Sequence, residues 1–156
     1  MERERPMGER AFRPTLKGCV AENRSMARAL EEAHRMAFCA VANHTWRSLI
    51  FESSNVELSV LFDELATEQL FAFRLLGALI IALGGSPRLQ GRLRGATDSD
   101  PISEGVLSDA MREVRVEVRC LARLMEMSDD RIVRTVLKRI LDDMTRQLKR
   151  LEEIRV

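Results

Sequence analysis

The sequence predicts an all-α protein, an antiparallel four-helix bundle with a long crossover between helices 2 and 3. Three observations carry this. Apolar residues recur at steps of three and four along four separate stretches. Gly and Pro cluster in a few places, as they do when long helices dominate. The gap from residue 86 to about 102 is far longer than the other two gaps, and a long link between two helix pairs marks a crossover bundle.

Residues 1–22 read as a flexible arm, with residues 23–156 forming the bundle. Met1-Glu2-Arg3-Glu4-Arg5-Pro6 and Arg13-Pro14 alternate charge with breakers and carry no apolar stripe. Asn23 or Ser25 can cap a first helix that runs to about Phe51. Its stripe is weak: Met26, Leu30, Ala33, Ala37, Ala40 and His44. Ser53-Ser54-Asn55 breaks it, and Asn55 can cap helix 2. That helix runs to Leu83 and is stopped by Gly84-Gly85 and Pro87. One face of it holds Leu58, Leu61, Leu65, Gln69, Ala72, Leu76, Leu79 and Leu83.

The connection that follows contains Gly91, Gly95 and Pro101. Ser103 starts helix 3, which reaches about Met127 with Leu107, Met111, Val114, Val118, Leu121 and Met125 on its seam. Ser128-Asp129-Asp130 is a short turn and cap. Helix 4 follows to about Ile154. Its apolar face is Ile132-Val133, Val136-Leu137, Ile140-Leu141, Met144, Leu148 and Leu151.

At 156 residues the chain suits one domain with a real core. It is 46% hydrophobic and 31% charged, which excludes a disordered chain. Lys+Arg is 25 against 24 Asp+Glu, so no overall field recruits nucleic acid. Cys19, Cys39 and Cys120 lack C-x-x-C spacing, which fits a reducing cytoplasm and argues against a disulfide framework or zinc knuckle. No secretory pattern opens the chain. The apolar run Leu75 to Leu83 is too short to span a bilayer, so no membrane partner is expected.

Three stretches carry a resemblance. They are Thr45-Trp46-Arg47-Ser48-Leu49-Ile50, Leu61-Phe62-Asp63-Glu64-Leu65-Ala66, and Leu75-Leu76-Gly77-Ala78-Leu79-Ile80 through Leu83-Gly84-Gly85-Ser86-Pro87. Together they resemble the first half of a ferritin-like four-helix bundle, nearest the bacterial rubrerythrin and manganese-catalase-like spore coat branch. The resemblance covers roughly residues 30 to 154. It implies a core built to hold two metal ions on carboxylates and histidines.

The same resemblance implies where those ligands should stand. Aligned on the Leu-Gly-Gly turn, the Glu-x-x-His of helix 2 falls on Gln69 and Ala72. The second Glu-x-x-His, after Arg139-Ile140-Leu141-Asp142-Asp143, falls on Met144 and Gln147. The lone Glu of helix 3 falls on Val114; a slip of one residue would select Glu113, which lies off the seam. Helix 1 has no Asp or Glu between Arg35 and Phe51. Amides and thioethers are poor ligands for hard ions, so these five positions read as vestigial, with no metal and no cofactor. Gln69 and Gln147 are expected to face inward and satisfy each other, His44 or water.

Other candidates read as structural. Glu31-x-x-His34 reads as an exposed charged face, and His44 as a hydrogen-bonded histidine of the seam. Arg112, Arg115, Arg119 and Arg123, interleaved with Asp109, Glu113 and Glu117, read as a solvated face without aromatics to stack bases. Cys39 and Cys120 read as buried and inert. No phosphate loop, nucleophile elbow or triad is present.

Helix 2 carries one charge, Arg74, from Leu70 to Leu83 and is apolar all round, more than one bundle core can cover. Phe71, Phe73, Ile80 and Ile81 are expected to face outward into a homodimer, as the resemblance also implies. The leading expectation is a non-catalytic assembly or interaction protein. Its alternatives are a metal-dependent oxidase, peroxidase or catalase with ligands moved to Glu31, His34, His44, Glu68 or Glu113, and a module holding a small apolar ligand.

Overall fold

A computed structural model describes residues 20–88 and 103–154. The elements are α1 (Val20–Phe51), α2 (Val56–Ala82), α3 (Ser103–Met127) and α4 (Arg131–Glu152). The arm expected over residues 1–22 lies outside the described residues up to 19, and Val20 to Glu22 are already helical. The same holds for most of the crossover. Among the described residues every element is a helix.

Helix ends follow local chemistry. Asn55 Oδ1 accepts the Leu58 backbone N–H at 3.1 Å, satisfying one orphan donor of α2. Asp130 Oδ1 accepts from Ile132 and Val133 at 2.8 and 3.0 Å and does the same for α4. At the end of α2, Gly84 takes φ +82°, a left-handed value that glycine adopts without strain. The Gly85 N–H bonds Ile80 O and the Gly84 N–H bonds Ile81 O, each at 2.9 Å. This is a Schellman cap. A Cβ on Gly85 would lie 2.9 Å from Ala27 Cβ, so the stop also lets α2 close on the start of α1.

The most extensive packing joins α1 to α2 and α3 to α4; α1 also meets α3, and α2 meets α4. The core runs down the middle through Leu30, Phe62, Leu65, Leu76, Ile80 and Leu137. Each such side chain contributes about 1.5–3 kcal/mol on burial. Rings stack beside it: Phe62 lies 5.9 Å from Phe51 and 5.8 Å from His44.

The stripes of α1 and α2 depart from expectation at one position each. Phe62 and Ala27 are buried where Leu61 and Met26 are half-buried. On α3 the fully inward set is Leu107, Ala110, Val114, Glu117, Leu121 and Leu124, while Met111, Val118 and Met125 flank it. The expected outward set on α2 is corrected too. Ile80 is fully buried, and Phe73 is half-buried against His34 and Phe38. Phe71 and Ile81 do face out, joined by Leu70 and Val60. By length and composition α2 as a whole is apolar enough to cross a membrane, unlike the shorter run noted in the sequence. Here it packs as a bundle helix against α1 and α4.

Candidate functional site

The inner faces of the bundle meet at a polar cluster. Gln69 lies on the α2 stripe between Leu65 and Ala72, Glu117 on α3 between Val114 and Leu121, and Met144 and Gln147 on α4 after Ile140. All are buried. The Gln69 amide Nε2 donates to Glu117 Oε2 at 2.8 Å and Met144 Sδ at 3.0 Å, and more weakly to Gln147 Oε1 at 3.4 Å. Gln147 Nε2 donates to Glu68 Oε2 at 2.9 Å. Glu68 also takes Arg150, which in turn pairs with Glu64 at the surface. A chain of polar groups thus runs from the core to solvent along the α2–α4 seam. Gln69 Oε1 is buried with no partner among the described residues.

A second polar group pins α1 to α3. Arg47 is buried and grips Glu113 with two bonds of 2.9 Å. Arg47 also lies 3.2 Å from His44 Nδ1. A guanidinium can only donate, so Nδ1 accepts and the proton sits on Nε2. That Nε2–H is buried without a partner among the described residues.

Burial sets both titrations. Desolvation pushes the Glu117 carboxyl up to about 7; the Gln69 hydrogen bond and Arg47 pull it down, and Glu113 pushes it further up. Desolvation, then the charge of Arg47, pushes His44 down to about 3. Neutral pH therefore leaves His44 uncharged and Glu117 poised between its two forms.

The five expected vestigial positions, Gln69, Ala72, Val114, Met144 and Gln147, are all buried. Of the residues proposed as relocated ligands, His44 and Glu113 meet through a shared partner, Arg47, whose positive charge stands where a cation would have to sit. His34 is buried and stacks on Phe73 at 4.2 Å, which corrects its reading as part of an exposed face. His44 and Glu113 are engaged by Arg47, and Glu68 by Gln147 and Arg150. Among the described residues no three His, Cys, Asp or Glu side chains converge as a metal-holding group. A carboxylate-bridged dimetal bundle uses four carboxylates and two histidines. One carboxyl, two amides and a thioether at the heart of this bundle do not fit two hard ions.

Sequence reasoning missed Glu117 and Arg47. In the sequence Glu117 reads as part of a solvated face because arginines surround it. The signal available was its spacing, three after Val114 and four before Leu121, which continues the seam. Arg47 sits three after His44, so both fall on one side of α1. The remaining arginines of α3 are exposed as expected. Cys39 and Cys120 are half-buried rather than buried, and burial pushes both thiols up, away from the reactive thiolate.

Gln69→Leu is expected to cost about 1–3 kcal/mol, because it removes the donor that satisfies Glu117 and leaves the Gln147 carbonyl unmatched. Urea denaturation checks it. Gln69→Leu combined with Glu117→Leu should recover most of the loss. A single variant as stable as the parent at pH 8 would show the cluster to be energetically idle.

No protein-family profile matches the sequence, and no curated protein matches it by sequence. Solved structures do match in shape. A Desulfovibrio desulfuricans bacterioferritin, solved with its diiron site in different catalytic states, superposes with a TM-score of 0.79 at 14% identity, over 87% of this chain and 81% of that one. A Rhodobacter capsulatus bacterioferritin with a metal-free dinuclear site and heme iron gives 0.72 at 17% identity, over 87% and 84%. A two-domain Anabaena variabilis protein with DJ-1/ThiJ/PfpI-like and ferritin-like domains gives 0.68 at 20% identity, over 83% of this chain and 35% of that longer one. The fold is that of the ferritin-like four-helix bundles.

Proposed function

We propose that this chain is a non-catalytic ferritin-like bundle that acts as an assembly or interaction protein and has lost the dimetal site of such folds. One observation carries the reading: the interior is closed by Gln69, Gln147, Met144 and a carboxyl at the edge of neutrality, hydrogen-bonded to one another. Such a set holds the Gln69 amide N–H groups, a carboxyl and a thioether together without a metal, and leaves Gln69 Oε1 as its one open acceptor among the described residues. The Thr45 to Pro87 resemblance supports a narrower placing near the rubrerythrin and spore coat branch.

Assembly is the positive half of the proposal. Leu70, Phe71 and Ile81 are exposed on α2 with Val60, and Trp46 and Leu49 are exposed on α1. A homodimer through α2 covers this apolar surface and, to be permanent, buries more than about 1,000 Å² in total. The exposed Glu57, Asp63, Glu64 and Arg74 on α2 favour a water-facing helix over a membrane partner, and the cysteine usage noted in the sequence favours a reducing cytoplasm. The charge balance and the paired Arg112–Asp109 and Arg115–Glu152 favour no nucleic acid.

Metal analysis of protein purified without chelator, together with sedimentation, tests both halves. The expected result is substoichiometric iron and manganese in a stable dimer. Two ions per chain, lost in Gln69→Ala, would restore the enzyme reading. A monomer at micromolar concentration would remove the assembly reading.

A further inference from the structure

Along the groove between α1 and α3, every charged lining residue but one has an ion-pair partner among the described residues. The groove has a volume of about 270 Å³. Arg35 on its rim pairs with Glu32, Arg112 pairs with Asp109 at 3.2 Å, and Glu113 is gripped by Arg47 at 2.9 Å. Glu117 also lines the groove, only 7% exposed. Among the described residues its hydrogen bond comes from the neutral Gln69 amide, not from a cation. Arg47 is near enough for its charge to be felt, yet both its terminal nitrogens are already committed to Glu113.

We propose that this groove binds a small organic cation, an alkyl amine or alkyl guanidine, whose charged head pairs with Glu117 while its chain lies against Met36, Ala40 and Val116. A buried carboxylate without a counter-charge is costly, and a ligand that brings one positive charge and several N–H donors removes that cost. The volume admits a compact ligand, close to the lower end for small-molecule sites. A metal ion suits the groove less well. Glu113 is taken by Arg47, and what remains is one carboxyl, the Asn43 amide and the Cys39 thiol, whose pKa burial raises. An anion suits it less still, because Arg35 and Arg112 are already paired.

Binding the cation requires ionised Glu117, so affinity follows its titration. The groups whose charge or hydrogen bonds reach Glu117 are Cys39 and Arg47 from α1, Gln69 from α2, and Glu113 and Cys120 on its own helix; Arg35 lines the same groove, and from α4 Met144 and Gln147 meet it through the Gln69 amide. His44, pushed down to about 3, stays neutral across the useful range. With Glu117 at about 7, apparent affinity should be about 30-fold weaker at pH 5.5 than at pH 8.

n-Butylguanidinium is the probe, titrated by calorimetry into the full chain, with butyrate, n-butanol and Mn²⁺ as controls. Iodoacetamide alkylation of Cys39, which lines the groove, gives a second readout by peptide mass. The expected result at pH 8 is saturable binding of the guanidinium alone and at least about five-fold slower Cys39 alkylation, with Cys120 unchanged. Glu117→Gln should abolish both effects. Val116→Trp, on an exposed part of the wall, should weaken binding at least tenfold while leaving Glu117 in place. Equal binding by Glu117→Gln or Val116→Trp, Cys39 protection by butyrate or Mn²⁺, affinity independent of pH, or no saturable binding to the folded parent would each overturn the proposal. Should Glu117→Gln fail to fold, the pH ratio and Val116→Trp still decide.

Discussion

Glu117→Gln should make the protein about 3 kcal/mol more stable at pH 8 and leave it nearly unchanged at pH 4. The folded-state pKa of Glu117 is raised from its ordinary 4.5 to about 7. Between those values the native state holds a proton that the unfolded chain has released. Stability from this group is therefore fully present below 4.5 and is lost as pH rises through 7. Glutamine mimics the protonated form and never incurs the loss.

His44 acts in the opposite direction. Its folded-state pKa is lowered from 6.5 to about 3, so the unfolded chain takes up a proton that the native state refuses. Stability falls as pH drops from 6.5 towards 3, by up to ~5 kcal/mol. In the parent the two slopes oppose each other between 4.5 and 6.5 and give a shallow profile. The glutamine variant should show the His44 slope alone: flat above 6.5, falling steadily below. Urea midpoints taken from pH 4 to 8 read both curves. A variant less stable than the parent at pH 8 would mean that Glu117 is held ionised by something stronger than one amide.

Ile80→Glu and Ile81→Glu should fail in different ways although the residues are adjacent. Ile80 is 0% exposed and Ile81 is 63% exposed. A charge at 80 enters the core between α1 and α2 with no partner and should cost at least about 4 kcal/mol, enough to unfold many domains of this size. A charge at 81 should change monomer stability by no more than about 0.5 kcal/mol. Its effect should appear in sedimentation, as loss of the dimer. Circular dichroism melts at low concentration separate the two effects. A folded Ile80→Glu protein, or an Ile81→Glu protein that sediments as the parent does, would count against this division of the helix.

The sequence made the element order legible because each boundary carries its own chemistry. Asn55 and Asp130 cap as their side chains require, and Gly84 stops α2 because it can adopt a positive φ. The faces were harder to read. On α2, apolar residues on every side give the periodicity no contrast, so Ile80 and Ile81 could not be told apart. On α3, arginines at 112, 115, 119 and 123 made the whole flank look wet, and a carboxylate at 117 looked at home there. His34 reads as exposed for the same reason, beside Glu31, Glu32 and Arg35. The site was legible as a set of positions: Gln69, Met144 and Gln147 face inward together. Glu117, their acceptor, was legible only through its spacing on the seam.

The polar pins between the helix pairs also restrict what else this sequence can be. Apolar contacts along a bundle seam are non-directional, so by themselves they discriminate less sharply than hydrogen bonds against a hairpin sliding by a turn of about 5.4 Å past the other. The pins forbid the slide. A one-turn shift takes the Gln69 amide away from Glu117, pulls Arg47 off Glu113 and moves Arg150 from Glu64 and Glu68. Several buried polar groups would then be stranded at once. What Glu117 and Arg47 give up in desolvation is returned as alignment: they act as a vernier that selects one register from several of similar greasiness.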